Sequence, residues 1–372
     1  MKCKLSDICS FRKGKVEVEN LNAKNYISTE NMLPNKCGIT EASSLPTVSL
    51  TQEYNSGDVL VSNIRPYFKK IWQAKYDGGC SNDVLVFVPK PNTDKDFLYY
   101  VLADDDFFTY SMATSKGTKM PRGDKTSIMH YEVPLIDLQV QKKIASVLKA
   151  LDEKIKLNNE INNNLEQQAQ AIYQQMFIDN ARSNWAEGTL SDIADITMGQ
   201  SPSGSSYNED GTGTIFFQGR AEFGFRFPSV RLYTTEPKRM ARSNDTLMSV
   251  RAPVGDLNVA HTDCCIGRGL AAIHSKSNHQ SFVLYTMFSL KKQLDVFNGE
   301  GTVFGSINRN SLNDMPILIP SDDILDEFER IVAPMDLTIR NNYDENCRLQ
   351  DIRDTLLPRL MSGELDVSDI DL

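Results

Sequence analysis

Apolar residues recur in two stretches of this chain in alternating steps of four and three. The first stretch runs Ile144, Leu148, Leu151, Ile155, Asn158, Asn162, Leu165, Ala169, Ile172 and Met176. The second runs Phe328, Val332, Met335, Ile339, Asn342, Asn346, Leu349, Arg353, Leu356 and Leu360, each 184 residues after its counterpart. This is the a/d seam of a coiled coil. It predicts two helices of about 36 residues, each roughly 54 Å long at the helical rise. Gln141, Lys142 and Lys143 fall outside the seam.

Both seams are interrupted at the middle by two asparagines. A buried Asn costs stability but fixes register when it faces another Asn. Antiparallel pairing of residues whose numbers sum to 504 sets Asn158 against Asn346, Asn162 against Asn342, Ile144 against Leu360, and Ile155 against Leu349. The alternative is two ordinary amphipathic helices, each packed on its own domain with its asparagines exposed.

The rest of the chain has a shorter period. Val84-Leu85-Val86-Phe87-Val88, Leu270-Ala271-Ala272-Ile273, Pro134-Leu135-Ile136 and Pro316-Ile317-Leu318-Ile319 are strand candidates punctuated by Gly, Pro, Ser and Asn. Short helices are predicted at 96–108 and 281–294. These segments also come in pairs. Lys4-Leu5-Ser6-Asp7-Ile8 returns as Thr189-Leu190-Ser191-Asp192-Ile193, and Asp58-Val59-Leu60-Val61-Ser62 as Asp245-Thr246-Leu247-Met248-Ser249. Phe97-Leu98-Tyr99-Tyr100 returns as Phe282-Val283-Leu284-Tyr285, and Gly117-Thr118 as Gly301-Thr302. A repeat of half the chain means duplicated domains, because solenoid repeats are only about 20–50 residues long. The expected class is α+β, with two tandem α/β-mixed modules separated by two long helices that pair as an antiparallel coiled coil. The boundaries are a first module at 1–140, a central helix at 141–180, a second module at 181–320, a C-terminal helix at 321–361 and an acidic tail at 362–372.

Composition changes this picture little. The net charge of −9 lies entirely in residues 321–372, which carry 14 acidic and 5 basic residues, while the other residues balance. Neutral modules can still gather Lys and Arg on one face, so the charge neither excludes nor favours nucleic acid. Seven cysteines without framework spacing point to reduced thiols in a cytoplasmic protein. No apolar run approaches the roughly 18 residues of a membrane span.

Catalytic patterns are missing from the sequence. It has no G-x-x-x-x-G-K-[ST] phosphate loop and no Asn/Asp-Pro-Pro-aromatic motif, and Gly211-Thr212-Gly213 and Gly299-Glu300-Gly301 read as loop glycines. His261-Thr262-Asp263-Cys264-Cys265 has no second ligand pair at zinc spacing, so a strand with buried cysteines is preferred there. No metal and no cofactor are expected. Both modules do carry loops that mix Arg or Lys with aromatic and amide residues. In the first these supply Arg65, Tyr67, Lys69, Lys70, Lys116, Lys119, Arg122 and Lys125 as candidate DNA contacts. In the second they supply Gln200, Ser201, Ser203, Tyr207, Gln218, Arg220, Arg251, Asn308 and Arg309. Arg and Lys suit guanine O6/N7, Gln and Asn suit adenine, and hydroxyls suit phosphates. A solvated surface turn is the competing reading of any one loop.

The chain resembles the specificity subunit of a type I restriction–modification enzyme. The resemblance rests on the duplicated module-plus-helix layout and on the block from Pro134 through Gln141-Lys142-Lys143-Ile144 into Leu151-Asp152. It also rests on Leu357-Pro358-Arg359-Leu360-Met361-Ser362-Gly363-Glu364-Leu365 and on Met198-Gly199-Gln200-Ser201-Pro202 with Phe216-Phe217-Gln218-Gly219. The usual Glu-Gln before the first helix is here Val140-Gln141, and the second copy has Asp326-Glu327. The resemblance implies a non-catalytic subunit whose two target recognition domains each read half of a split, asymmetric double-stranded DNA site. It further implies paired helices that space the halves and dock two adenine methyltransferase subunits, with restriction subunits able to join. A coiled-coil scaffold with duplicated domains and no DNA role is the alternative.

Overall fold

The computed structural model describes residues 2–299, 305–362, 364–365 and 367. Glu300, the landmark Gly301-Thr302 and most of the 362–372 segment lie outside the described residues. The architecture is mixed α and β, with two long helices: Leu138–Tyr173, continued by a π-helical turn at Gln174–Asp179, and Asp322–Ser362. The chain divides into two compact units. One comprises Met1–Leu157 with Glu345–Leu372, and the other Asn158–Asp344.

In the first unit a four-stranded antiparallel sheet has the order Cys9–Phe11, Val84–Pro89, Val59–Ser62, Ile71–Gln73. A second sheet has the order Lys15–Glu17, Leu50–Tyr54, Gly78–Cys80, Tyr26–Ile27, and the last pair is parallel. Val59, Val61, Leu85 and Phe87 face one core, with Phe97, Leu98, Val101 and the helix residues Ile144, Leu148, Leu357 and Leu360. Leu60, Val84 and Val86 face the opposite core, with Trp72, Tyr54 and Ile27. The strand period of two thus feeds both sides of a fully buried strand.

The second unit repeats this plan. Its first sheet runs Ala194–Met198, Leu270–Ser275, Thr246–Ser249, Leu257–Val259, so each strand occupies the place of its sequence counterpart. Its second sheet has five strands: Tyr207–Asn208, Leu232–Thr234, Thr214–Phe217, Cys264–Ile266 and Met240–Ala241. The duplication extends to single hydrogen bonds. Asp7 accepts from the Lys4 amide at 2.8 Å and Asp192 from the Thr189 amide at 2.7 Å, each closing the first turn of a short helix. Asp58 accepts from the Asn55 amide and Asp245 from the Arg242 amide, both at 2.8 Å, fixing the turn before the central strand.

Several expected elements have different limits. The 96–108 helix is two helices, Lys95–Ala103 and Asp105–Ala113, because Asp104 is extended and its carboxylate caps the second by accepting from the Asp106 amide at 3.1 Å. The 281–294 helix likewise breaks at Leu290, giving Gln280–Ser289 and Lys291–Leu294. The Pro134-Leu135-Ile136 strand is Glu132–Pro134 instead. Its partner Lys2–Lys4 ends opposite Pro134, and Leu135 is exposed. Cys264 and Cys265 are buried in a strand, and burial pushes the Cys264 thiol up to about 12. Among the described residues no three metal-binding side chains gather and no helix is long and apolar enough to cross a membrane. All seven cysteines are free.

Each module is tied to the long helices by a buried polar network. In the first unit the Tyr100 hydroxyl donates to Asp152 at 2.8 Å, and Arg353 donates to the same carboxylate at 2.8 Å. Burial and the adjacent Asp152 charge raise the Tyr100 hydroxyl far above its usual range, so it remains a donor. In the second unit Tyr285 donates to Asp336 at 2.9 Å, and the buried Arg226 pairs with Asp336 at 3.2 Å and Glu166 at 3.0 Å. Gln141, the second residue of the Val140-Gln141 pair, is 3% exposed. Its amide accepts from the Asp94 backbone at 2.9 Å and donates to the Ile136 carbonyl at 2.9 Å, so it clamps the helix start to its own module.

Candidate nucleic-acid interface

The predicted loops of each module meet at one end of its first sheet, joined by backbone hydrogen bonds. In the first module the segment after the central strand bonds to two others. The Asn63 amide reaches the Asp83 carbonyl at 2.8 Å, the Arg65 amide reaches the Pro121 carbonyl at 2.9 Å, and Ile64 bridges Arg122. A tight turn at 81–84 closes through the Val84 amide on the Ser81 carbonyl at 2.9 Å. Arg65 and Lys69 adopt left-handed backbone conformations (φ 50° and 49°) on either side of Pro66–Phe68, which leaves Tyr67 49% exposed at the tip.

Several candidates in this module are engaged within it. Lys69 pairs with Asp105 at 2.7 Å, Lys70 donates to the Thr29 carbonyl at 2.6 Å, Lys116 pairs with Asp124 at 2.8 Å, and Arg122 pairs with Asp83 at 3.1 Å. The Asp124 carboxyl is held well below its usual range by its hydrogen bond from Lys116 and by those from Ser127. Lys119 and Lys125 are exposed, and their side chains have no hydrogen-bond or ion-pair partner among the described residues.

The second module repeats the junction with other side chains. The Val250 amide donates to the Gly269 carbonyl at 3.0 Å, Arg251 bridges Ser306, and the Ile307 amide donates to the Val250 carbonyl at 3.1 Å. Its turn at 267–270 closes through the Leu270 amide on the Gly267 carbonyl at 2.9 Å. Three further links bring in the remaining loops. The Gln200 amide donates to the Ile266 carbonyl at 3.0 Å, the Gly267 amide to the Phe217 carbonyl at 2.8 Å, and the Arg268 amide to the Ser201 hydroxyl at 3.2 Å. Gln200, Gln218 and Arg251 therefore converge through their backbones, and Ser201 through its hydroxyl. Arg220 is ion-paired with Asp256. Ser203 bonds Ser205, and Tyr207 donates to the Pro202 carbonyl at 3.1 Å while stacking near Phe216. Asn308 caps the helix Arg309–Asn313 by accepting from the Ser311 amide at 2.9 Å, the place that Asp124 takes in the first module.

Sequence reasoning passed over Arg268, which stands exposed between two glycines at the tip of this turn. The signal was available in Gly267-Arg268-Gly269. A Cβ on Gly267 would stand 2.8 Å from the Gln218 carbonyl oxygen, and one on Gly269 2.9 Å from it, so only glycine lets the two chains pass. The first module has Asn82-Asp83 there, so comparison of the repeats alone did not reveal it.

The family described as "Type I restriction modification DNA specificity domain" matches the chain twice, over residues 1–167 and 182–342. The chain belongs to this family. Among curated relatives of this specificity-domain chain, the putative type I restriction enzyme MjaX specificity subunit of Methanocaldococcus jannaschii is 29% identical over 342 residues, covering 84% of this chain and 79% of its own. The type I restriction enzyme HindI specificity subunit of Haemophilus influenzae is 24% identical, covering 91% of this chain and 94% of its own. A crystal structure of a type I restriction–modification system S subunit from M. genitalium shares the specificity-domain fold, with TM-score 0.64 and 16% identity over 99% of this chain and 96% of that one.

Proposed function

We propose that the chain is the DNA sequence-specificity subunit of a type I restriction–modification complex and is not itself a catalyst. The observation that carries this reading is the double family match on one chain, with an equivalent loop junction at the sheet end of each copy. On this reading the modules at 1–140 and 181–320 each read one half of a bipartite, asymmetric double-stranded DNA site. The helices at 141–180 and 321–361 pair as an antiparallel coiled coil that spaces the halves, the 362–372 segment is an acidic tail, and two adenine methyltransferase subunits dock. Restriction subunits are able to join the same assembly, which acts in the cytoplasm. Support for the helix pairing comes from the Asn342 amide, which donates to the Asn162 carbonyl oxygen at 2.8 Å, the pair required by the 504 register.

Among the candidate contacts, Tyr67, Lys119 and Lys125 of the first module and Gln200, Gln218, Arg251 and Arg309 of the second are the side chains most available to a duplex, while Arg65 is half-buried with its Nε enclosed. Lys69, Lys70, Lys116, Arg122 and Arg220 would have to leave intramolecular partners first. The test is DNA binding by the chain with and without methyltransferase subunits, followed by mapping of the methylated sites. A split adenine-methylated motif that depends on this chain supports the reading. Methylation or cleavage by the purified chain alone would refute the non-catalytic assignment, and assembly with no DNA binding would favour a scaffold.

A further inference from the structure

The two sheet-end junctions share one backbone plan but distribute charge differently. In the first module the third loop contributes Arg122 and the turn contributes Asp83, and the two neutralise each other at 3.1 Å. At the equivalent places the second module has Ser306 and Gly269, which carry no charge. Positive charge appears instead at two other places. Ile64 of the first module is replaced by Arg251, and Asn82 by Arg268. The bond from the Val250 amide to the Gly269 carbonyl joins the residues that adjoin them, so the two arginines leave neighbouring backbone positions. Both are exposed, and neither is ion-paired with a carboxylate among the described residues.

This backbone register sets Arg251 opposite Arg268, and an anion held between two like charges relieves their repulsion. The surroundings suit an oxyanion: Ser201, whose hydroxyl meets the Arg268 amide, adjoins one arginine, and Ser306, bridged to Arg251, adjoins the other. The Gln218 backbone, pressed on Gly267 and Gly269, fixes the turn that carries Arg268. Two guanidinium forks at a preformed turn match the oxygens of a phosphodiester.

We propose that Arg251 and Arg268 jointly grip one backbone phosphate of the DNA, making the second module a sequence-independent anchor that the first module lacks. This rests on the DNA-reading function proposed above. Arg251 then positions the duplex instead of reading a base, and the equivalent point of the first module is closed by its own ion pair.

The experiment measures DNA affinity across a salt series for the full chain with its methyltransferase subunits. The duplexes carry the mapped site or the same site with its second half scrambled. The variants are Arg251→Ala, Arg268→Ala, the double Ala variant, and Arg251→Lys with Arg268→Lys. Each single Ala variant is expected to lose about tenfold or more in affinity for both duplexes alike. Each should also lower the slope of log affinity against log salt by about one, and the double variant by about two. The Lys pair should keep the slope, and the methylated motif should stay the same in all. Wild-type binding with an unaltered slope in the double Ala variant would overturn the anchor and leave the DNA-reading function standing. So would relaxed sequence choice in either Ala variant, which would mark base reading. No binding by the wild-type complex would overturn both.

Discussion

The Tyr285 hydroxyl donates a 2.9 Å hydrogen bond to the Asp336 carboxylate, joining the short helix of the second module to a long helix of the same unit. Tyr100 and Asp152 make the same contact at 2.8 Å in the first unit. The repeat has thus kept the way each module is held on its helices while its loops diverged. The cation completing each pair comes from a different place: Arg353 of a long helix in the first unit, Arg226 of a module loop in the second. Replacing Tyr285 with Phe removes two charge-assisted hydrogen bonds, the one donated to Asp336 and the one accepted from Arg226 at 3.1 Å, and, since both belong to one network, is expected to cost about 1.5–3 kcal/mol. Urea denaturation of the variant checks this, and a cost near zero would mean that the contact does not fasten the module.

Arg226 is 5% exposed between two carboxylates, so its loss should damage stability more than the loss of Tyr285. Arg226→Met leaves Glu166 and Asp336 buried without their cation, at a cost of about 3–5 kcal/mol at neutral pH. Burial already raises both carboxyls above their usual range, with Arg226 pulling them back. Without it they rise further. A carboxyl whose folded pKa exceeds its unfolded value stabilises at low pH and loses that contribution as pH rises. The variant should therefore recover stability between neutral pH and about pH 5, relative to wild type, in thermal melts run across that range. A deficit independent of pH would contradict the assignment.

Asn162 and Asn342 provide a double-mutant test of the helix register. Asn342 is half-buried, so changing Asn162 alone to Leu, which removes its amide's partner, should cost about 0.5–1.5 kcal/mol. Changing both to Leu removes the unsatisfied group and should restore or exceed wild-type stability. Equilibrium denaturation of the two single variants and the double variant measures the coupling energy. Additive losses would mean that the two amides act independently.

The seams were legible because little besides a long amphipathic helix produces apolar steps of four and three over so many turns. The same strict spacing located Asn162 and Asn342 as partners, since their polarity stood out in an apolar row. The strands at 84–88 and 270–273 and the duplication of the modules were legible from short apolar runs and from landmarks such as Asp58 and Asp245, while the sheet order was not. Helix breaks were less so, because Asp104 looks like any acidic helix residue until its backbone is seen extended. Loop chemistry was the least legible. Composition nominated Lys69, Lys70, Lys116, Arg122 and Arg220 as contacts, but their ion pairs and hydrogen bonds join residues far apart in the chain, such as Arg122 with Asp83, or depend on a turn that only the fold creates. Arg268 was overlooked for the converse reason: its importance derives from the Gln218 backbone lying against the neighbouring glycines.

The claim that each module reads its own half-site is tested most directly by exchanging one of them. A chimaera in which residues 181–320 come from a relative of different specificity would be expressed with the methyltransferase subunits, and the methylated adenines of the host DNA mapped. One half of the split motif should be replaced, while the half belonging to residues 1–140 and the gap between the halves stay as in the parent. A change in both halves at once would contradict the account.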